Sequence, residues 1–508
     1  MSYAKTLCVG LLGVTGHLVE VEADLARGLP GLVLAGLPDT ALSEARDRVR
    51  AAIVNSGEAW PNRRITVNLL PAMLPKTGSA FDLAIAVALL IGAGLLPAAP
   101  FEGAVLLGEL ALDGTVRPVR GVLPMVHAAV RAGIRRVVVP PANAPEAGLV
   151  PGVTVRATDR LGRLIAYARG VAPLLPPPEP AEVPECPGPD LADVVGQDLG
   201  RLALELAAAG GHHLAMIGPP GAGKTMLAQR LPSLLPPLDD EEALEVTAIH
   251  SIAGVLPPGA GLVRRPPFQA PHHTATMPAL VGGGSGLARP GAISLAHRGV
   301  LFMDEAPEFG ARLLEALRQP LEDGFVSLLR AQGRTDYPAR LQLVLAANPC
   351  PCAKPAGDAH CECPAVARRR YLGRLSGPLM DRVDLKVYLA PVTAAQLLQD
   401  GKAGPVESSG IVAERVAKAR AVAAARWAVG GWRTNAEVPA AALRSSRWRL
   451  PRRAREPLRR HLDRGTLSAR GHDRVVRIAW TIADLAGLDR PTAAEIHEAY
   501  GLRTGEAL

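Results

Sequence analysis

Aromatic side chains make up only 3% of the 508 residues, so the cores must be aliphatic, built from Leu, Val, Ile and Ala. The same scarcity argues against a surface that grips single strands mainly by stacking bases on rings. Lysine is also sparse: the formal charge of +8 is carried almost wholly by arginine, an excess that permits an anionic partner without demanding one. The opening MSYAKTLCVGLLG lacks a basic segment followed by a long apolar run, so no secretory signal is expected and the expected location is the cytoplasm. No membrane partner is expected either. The most apolar stretch, residues 83–99, is rich in Gly and Ala, contains Pro97 and falls short of a span, which predicts a buried core helix. Cysteines number six, four of them within residues 350–363; without a secretion signal this points to reduced thiols or a metal site before disulfides. Solenoid-length repeats are absent. What remains, 48% hydrophobic and 20% charged residues, is globular and excludes disordered and collagen-like classes. At roughly 150 residues per domain, the chain should hold about three.

The clearest boundary is VAPLLPPPEPAEVPECPGPD (171–190), whose prolines remove backbone donors and favour extended conformations, as in a semi-rigid linker. Before it, residues 1–170 alternate strands such as ITVNLL (65–70) and RRVVVP (135–140) with helices that end at Gly57 and Gly133. Behind it, a βα-type core is expected over 191–400. The gap GKAGPVESSG then leads into a helical, arginine-rich part over 401–508.

GPPGAGKT (218–225) matches the phosphate-binding loop at every fixed position, with the apolar HLAMI strand before it and TMLAQRL continuing as a helix. Gly218, Pro219, Pro220, Gly221, Ala222 and Gly223 are expected to close backbone N–H groups around phosphate oxygens of ATP, at a helix N-terminus. Lys224 should reach the β- and γ-phosphates, and the Thr225 hydroxyl should ligate Mg²⁺. A second half-site follows in GVLFMDE (299–305): Asp304 can hold Mg²⁺ through water, and Glu305 can orient or deprotonate the attacking water. That pair tilts the reading toward hydrolysis over static binding. A further strand, LQLVLAANP, ends at Asn348, whose amide is placed to touch the γ-phosphate or the water.

CPCAKPAGDAHCEC presents Cys350, Cys352, Cys361 and Cys363 as two Cys-x-Cys pairs, able to close a tetrahedral Zn²⁺ site. His360 is an alternative ligand, and unliganded thiols are the other reading. Four ligands leave no open position, so catalysis by these cysteines is not expected. RSSRWRLPRRAREPLRRHLDRG brings together Arg444, Arg447, Arg449, Arg452, Arg453, Arg455, Arg459 and Arg460, with Trp448 interleaved. Two readings stand: salt-sensitive, sequence-blind contact with nucleic-acid phosphates, or a solvated helical face. No helix-turn-helix or zinc-finger reading helix is discernible, so sequence-specific recognition is not expected.

The strings RPGAISLAHRGVLFMDEAPEF, LEDGFVSLLRAQGRTDYPARLQLVLAANPCPC and RLSGPLMDRVDL resemble the magnesium-chelatase-like AAA+ ATPases, and most closely their competence-associated ComM family, also called YifB. The resemblance covers nearly the entire chain. It implies an α/β fold: an AAA+ P-loop core with a helical lid, preceded by an α+β, Lon-peptidase-like domain of ChlI type. It also implies a homo-oligomeric ring, usually a hexamer, with ATP between subunits. In that arrangement Arg382 takes the place of the arginine finger acting on a neighbour's nucleotide, and Arg470 that of the sensor-2 arginine of the lid. The family carries a similar NPCPC string, which supports zinc. The N-terminal likeness rests on LPKTGSAFDLAIA and LDGTVRPVRGVLPMVHAAVRAGIRRVVVP. Ser79 falls near the nucleophile's place of a Lon peptidase, but the lysine's place holds Leu123, which accepts no proton. A peptidase-dead scaffold is therefore expected, with Lys76 the only nearby amine to argue otherwise. The insertion RRPPFQAPHHTATMPALVGGGSGLARPG, with a flexible tip at Gly282, Gly283 and Gly284 flanked by His272, His273 and Arg289, corresponds to one that projects toward the channel in relatives; an ordinary surface loop is the competing reading. The activity implied is an ATP-driven DNA helicase that promotes branch migration in recombination and natural transformation, on branched or single-stranded DNA. The alternative is an ATPase that remodels a protein partner, as in metal insertion into a tetrapyrrole.

Overall fold

Alternation of buried and exposed side chains along Tyr3–Leu12 (β1) and Thr15–Ala26 (β2) sets up a long antiparallel hairpin, paired from Tyr3 opposite Asp24 to Leu12 opposite Thr15. A two-residue turn joins them, and Gly13 supplies its left-handed residue at φ 62°. In the computed structural model, residues 3–36, 44–76, 78–178, 188–257, 259–284, 288–330, 333–352, 354, 361–393 and 406–505 are described. His360, residues 179–187 of the proline-rich stretch and residues 401–405 of the second gap lie outside them.

Strands Gly31–Ala35 (β3) and Arg64–Leu70 (β4) extend the hairpin on one side; Ala104–Leu106 (β5), Arg136–Val139 (β6) and Thr154–Ala157 (β7) extend it on the other. The resulting order is β3-β4-β2-β1-β5-β6-β7, antiparallel at β1–β2–β4 and parallel from β1 through β7. The expected core helix forms over Asp82–Gly92, with nearly every residue buried. Among the described residues, no helix is long and apolar enough to cross a membrane.

A second sheet is entirely parallel. Its strands are Leu214–Ile217 (β8), Phe268–Gln269 (β9), Val300–Met303 (β10), Gln342–Ala347 (β11) and Leu385–Tyr388 (β12), in the order β9-β10-β11-β8-β12. LAMI, VLFM and QLVLAA are buried at every position, as strands covered on both faces must be. The period of two then sorts their side chains. Leu214, Met216, Val300, Phe302, Val344 and Ala346 point into one cluster with the C-terminal helices, including Val416, Trp427 and Trp480. Ala215, Ile217, Leu301, Met303, Leu343 and Leu345 point into the other, with Leu280, Ile293, Leu314 and Leu379. The molecule is thus a mixed α/β protein with a parallel sheet. The two sheets communicate through helix Asp240–Ala253: Leu244, Ala248 and Ile252 pack into the N-terminal cluster, and Ser251 hydrogen-bonds Glu146.

One expectation is overturned. Gly282 and Gly283 do not form a flexible tip: they are buried and pair antiparallel with Pro290 and Arg289. Crowding explains the glycine at the first position, where an added Cβ would stand 2.5 Å from the Arg289 carbonyl oxygen.

Candidate functional site

Parallel strands bring all their C-terminal ends to one edge, so residues distant in sequence converge there. β8 leads into residues 218–223, and the helix Lys224–Leu234 begins at once behind the left-handed Gly223 (φ 79°). At Gly218 an added Cβ would lie 2.7 Å from the Leu389 carbonyl oxygen, so the first glycine answers to strand packing. Its N–H donates to the Ala347 carbonyl at 3.1 Å, tying the loop to the end of β11.

Lys224 is buried, 8% exposed, and its ammonium donates to three neutral oxygens: Gly218 O at 2.6 Å, Pro219 O at 2.9 Å and Asn348 Oδ1 at 3.1 Å. Among the described residues, no carboxylate forms an ion pair with it. Burial pulls its pKa below the usual lysine value, opposed by the charges of Asp304 and Glu305. A cation held dry by uncharged acceptors is a strong place to receive an anion. Thr225 Oγ1 donates to Asp304 Oδ2 at 2.7 Å, which joins the two hydroxyl and carboxylate oxygens that could hold a divalent cation. Asp304 Oδ1 in turn accepts from the Glu305 N–H at 2.9 Å. Glu305 adopts the left-handed conformation at φ 49°, which costs a non-glycine residue roughly 1–2 kcal/mol and turns the chain sharply after β10. Its carboxylate is half exposed and meets His273 Nδ1 at 3.4 Å. The sequence assigned His273 to an insertion projecting toward a channel; here it stands at the acid, a pairing that spacing alone does not reveal.

Asn348, 9% exposed and just after β11, accepts from Lys224 through its side-chain oxygen. Arg382 does not meet the loop of its own chain. It is 7% exposed, its guanidinium donating to Pro378 O at 2.6 Å and to Glu322. Arg470 is exposed at the start of helix Ala469–Leu485. One turn on, Arg474 binds Asp384, which precedes β12 and lies at the opposite end of the sheet from residues 218–225. That anchor keeps Arg470 with the far edge of the sheet.

The four cysteines do come together. Their Sγ atoms all lie within 4.8 Å of one another, with Cys350 to Cys352 at 3.1 Å and Cys352 to Cys361 at 3.7 Å. A tetrahedral zinc with Zn–S bonds of ~2.3 Å requires sulfur separations of about 3.8 Å, so the donor set fits that metal. A hydrogen bond from Cys350 lowers the pKa of the Cys352 thiol, toward the thiolate that a metal takes. Among the described cysteines there is no disulfide.

Among the described residues, the N-terminal candidates have other partners than one another. Leu123 is fully buried in the aliphatic core, Ser79 hydrogen-bonds Glu109, and Lys76 donates to the Pro71 carbonyl. In the arginine-rich stretch, Trp448 packs edge-on against Trp427 at 4.7 Å, with Arg447 4.6 Å from its ring centroid, so the half-buried ring serves packing against the C-terminal core. Arg444 pairs with Asp473 at 2.6 Å; Arg449, Arg452, Arg453, Arg459 and Arg460 are exposed, with Arg459 near Asp463 at 3.6 Å and Arg460 near Glu456 at 3.9 Å. The sequence reading also missed Tyr371 and Arg374, which reach back to Asn348 and to Glu308; their sequence distance of more than twenty residues from either target leaves no local signal.

Family comparisons cover most of the chain. The model "Subunit ChlI of Mg-chelatase" matches residues 21–143, "Magnesium chelatase, subunit ChlI" matches 190–397, and "Magnesium chelatase, subunit ChlI C-terminal" matches 406–503. An uncharacterized protein of Mycobacterium tuberculosis is 54% identical over 503 residues, covering 99% of both chains. The uncharacterized protein YifB of Escherichia coli is 42% identical over 501 residues, covering 98% of this chain and 96% of its own. Competence protein ComM of Haemophilus influenzae is 39% identical over 511 residues, covering 99% of this chain and 98% of its own. With that identity sustained from end to end, and with both acids, the lysine and the asparagine gathered at one sheet edge, the chain belongs to the competence-associated ComM/YifB family of magnesium-chelatase-like ATPases.

Proposed function

We propose that this protein is a ring-forming AAA+ motor that hydrolyses ATP at residues 218–225 and uses the energy to move along DNA, promoting branch migration of joint molecules. In this reading residues 1–170 are a ChlI-type, Lon-peptidase-like scaffold without protease activity, 171–190 a linker, 191–400 the ATPase core and 401–508 its helical lid. The observation that carries the reading is the buried Lys224 ammonium, bonded to neutral oxygens only, beside the Thr225–Asp304 pair.

On binding ATP, Lys224 exchanges its carbonyl acceptors for β- and γ-phosphate oxygens, and the helix N-terminus at Lys224 adds its partial positive charge. Thr225 and Asp304 would hold Mg²⁺, which when bound offsets phosphate charge. Glu305 accepts the proton of the attacking water, and the Asn348 amide holds the water or the γ-phosphoryl in line. Developing negative charge calls for one more cation. Arg382 of a neighbouring copy supplies it, after its guanidinium has left Glu322 of its own chain. Hydrolysis then depends on assembly, with a hexamer as the expected ring. Arg470, the sensor-2 arginine of the lid, is held at the far sheet edge of its own subunit and so serves a neighbour's nucleotide. Zn²⁺ at Cys350, Cys352, Cys361 and Cys363 is structural. The exposed arginines of helix Arg452–Asp463 contact DNA phosphates without reading sequence.

The test is ATP turnover with and without four-way or forked DNA across a salt series. DNA should stimulate turnover, and the stimulation should fall steeply as salt rises. Turnover indifferent to DNA, and equally fast in a monomer, would sink the reading. Mixing Arg382→Ala subunits with Glu305→Gln subunits, each inactive alone, should restore part of the activity if the arginine works across the interface.

A further inference from the structure

Two catalytic strand ends are joined by one short stretch of chain, and the thiol cluster closes it. β11 ends at Asn348, whose side chain accepts from Lys224 at 3.1 Å; Pro349 follows, and then Cys350, 2% exposed. The chain returns through Cys361 and Cys363, and Pro364 starts the helix Ala365–Leu372 immediately afterwards. Tyr371, at the end of that helix and 4% exposed, comes close enough to the backbone of Asn348 for that N–H to act against the burial that raises its phenol pKa. Three residues on, Arg374 Nη1 donates to Pro307 O at 3.2 Å and to Glu308 Oε2 at 2.9 Å, on the turn that follows Asp304 and Glu305. The guanidinium also lies over the Tyr371 ring, 5.8 Å from its centroid. β10 and β11 are adjacent, with Met303 opposite Leu345, so this helix end spans both catalytic strand ends.

We propose that the four-cysteine cluster sets the geometry of hydrolysis. A metal held by Cys350, Cys352, Cys361 and Cys363 fixes where helix Ala365–Leu372 begins, and through Tyr371 and Arg374 that helix positions Asn348 and the Asp304–Glu305 turn. Tyr371 and Arg374 are positioning residues. They touch no reacting atom, and the metal acts by limiting how far the two strand ends can drift apart. Pre-organisation of this kind is where small displacements are expensive, because donors must be aimed before the charge develops. A metal that merely stapled its own loop would need neither the contact to Asn348 nor the one to Glu308. The inference rests on residues 218–225 being the ATP site, but it makes a claim about the backbone that does not.

The experiment uses full-length protein, loaded with zinc or stripped by a zinc-selective chelator with Mg²⁺ restored, and followed by amide hydrogen exchange. Stripping should speed exchange in peptides covering 304–308 and 346–349, and leave the peptide covering 214–217 protected. Unchanged exchange at 304–308 would overturn the proposal. Fluorescent-ADP affinity should stay within about threefold on stripping, while single-turnover hydrolysis drops about tenfold or more. In Asn348→Ala protein, stripping should add less than about threefold, since the two losses act through one group; full multiplication of the two effects would overturn the proposal. Should stripping unfold the chain, Tyr371→Phe and Arg374→Gln provide the second route. Both should keep about one zinc per chain, bind ADP and slow hydrolysis, and hydrolysis at the parental rate in both would overturn the proposal. Absence of any nucleotide binding by the loaded parent would instead defeat the ATPase reading, leaving the exchange result to judge the cluster.

Discussion

Strand β8 has buried charge at both its ends, and the two ends handle it in opposite ways. Before Leu214, His212 and His213 sit in a closed network. Asp384 accepts from Arg474 and from the His213 N–H at 3.1 Å, His212 Nε2 meets Thr481 Oγ1 at 2.8 Å, and Asn435 links Thr481 to Asp484 at 3.0 and 2.9 Å. Burial works to raise the Asp384 pKa, yet Arg474 and the two histidines outweigh it and hold the carboxyl well below the usual carboxylate range. After Ile217, Lys224 is also buried but bonds only to neutral oxygens, and Asp304 spends its oxygens on a hydroxyl and an amide. The first arrangement sets charge against charge, with Arg474 on Asp384. The second is satisfied provisionally, with bonds that an anion or a cation can displace at little loss. Burial alone therefore does not distinguish the two ends; the charge state of the partners does.

The contrast can be broken in three ways. The largest expected effect is at the working end: Lys224→Ala should abolish ATP turnover, by at least about a thousandfold, while thermal unfolding stays near the parental temperature, because the lysine has no ionic partner to orphan. Retained turnover, read in a coupled phosphate-release assay, would remove this loop from the mechanism. At the structural end the expectation reverses. Asp384→Ala leaves Arg474 and the His212–His213 pair without their acceptor and should cost about 3–5 kcal/mol of stability, read in chemical denaturation, with ATP affinity in the surviving folded protein little changed. The smallest effect is a pH dependence. Burial holds the His213 pKa at about 4 against an ordinary 6.5, only partly opposed by Asp384, and its Nδ1 accepts the Leu343 N–H at 3.0 Å. Its folded pKa is depressed, so the unfolded chain binds the extra proton first. Its stabilising contribution is complete above pH 6.5 and is lost as pH falls from there to about 4. His213→Asn, which keeps an acceptor for Leu343, should flatten the stability profile in that window by about one proton; an unaltered slope would show that His213 is not the titrating group.

Legibility followed chemistry that is local in the chain. Residues 218–225 and the Asp304–Glu305 pair were readable because glycine, lysine and hydroxyl must follow one another directly around a phosphate, and because doubly buried strands are written as unbroken apolar runs. The cysteines were readable as a donor set, and their sulfur atoms do converge. What failed depended on pairing across the fold. Gly282 and Gly283 read as slack, yet both are buried in strand pairing, and at Gly282 the opposing strand leaves no room for a Cβ. Trp448 is interleaved among arginines in the sequence, and nothing in that spacing shows that its ring packs against Trp427. Arg474 and Asp384 lie ninety positions apart, and no pattern of spacing connects them. The same holds for His273 and Glu305, brought together only because residues after β9 run across the end of β10.

The helix Asp240–Ala253 has a practical corollary for anyone dissecting this molecule. One of its faces, with Leu244, Ala248 and Ile252, completes the hydrophobic interior of the amino-terminal half. A shortened chain starting at residue 191 would leave those side chains bare to water and one face of the helix without a neighbour. Such a truncation tests adhesion between fragments as much as it tests what the missing half does, so point substitutions at Glu146 or Ile252 are the cleaner instrument for loosening one half from the other.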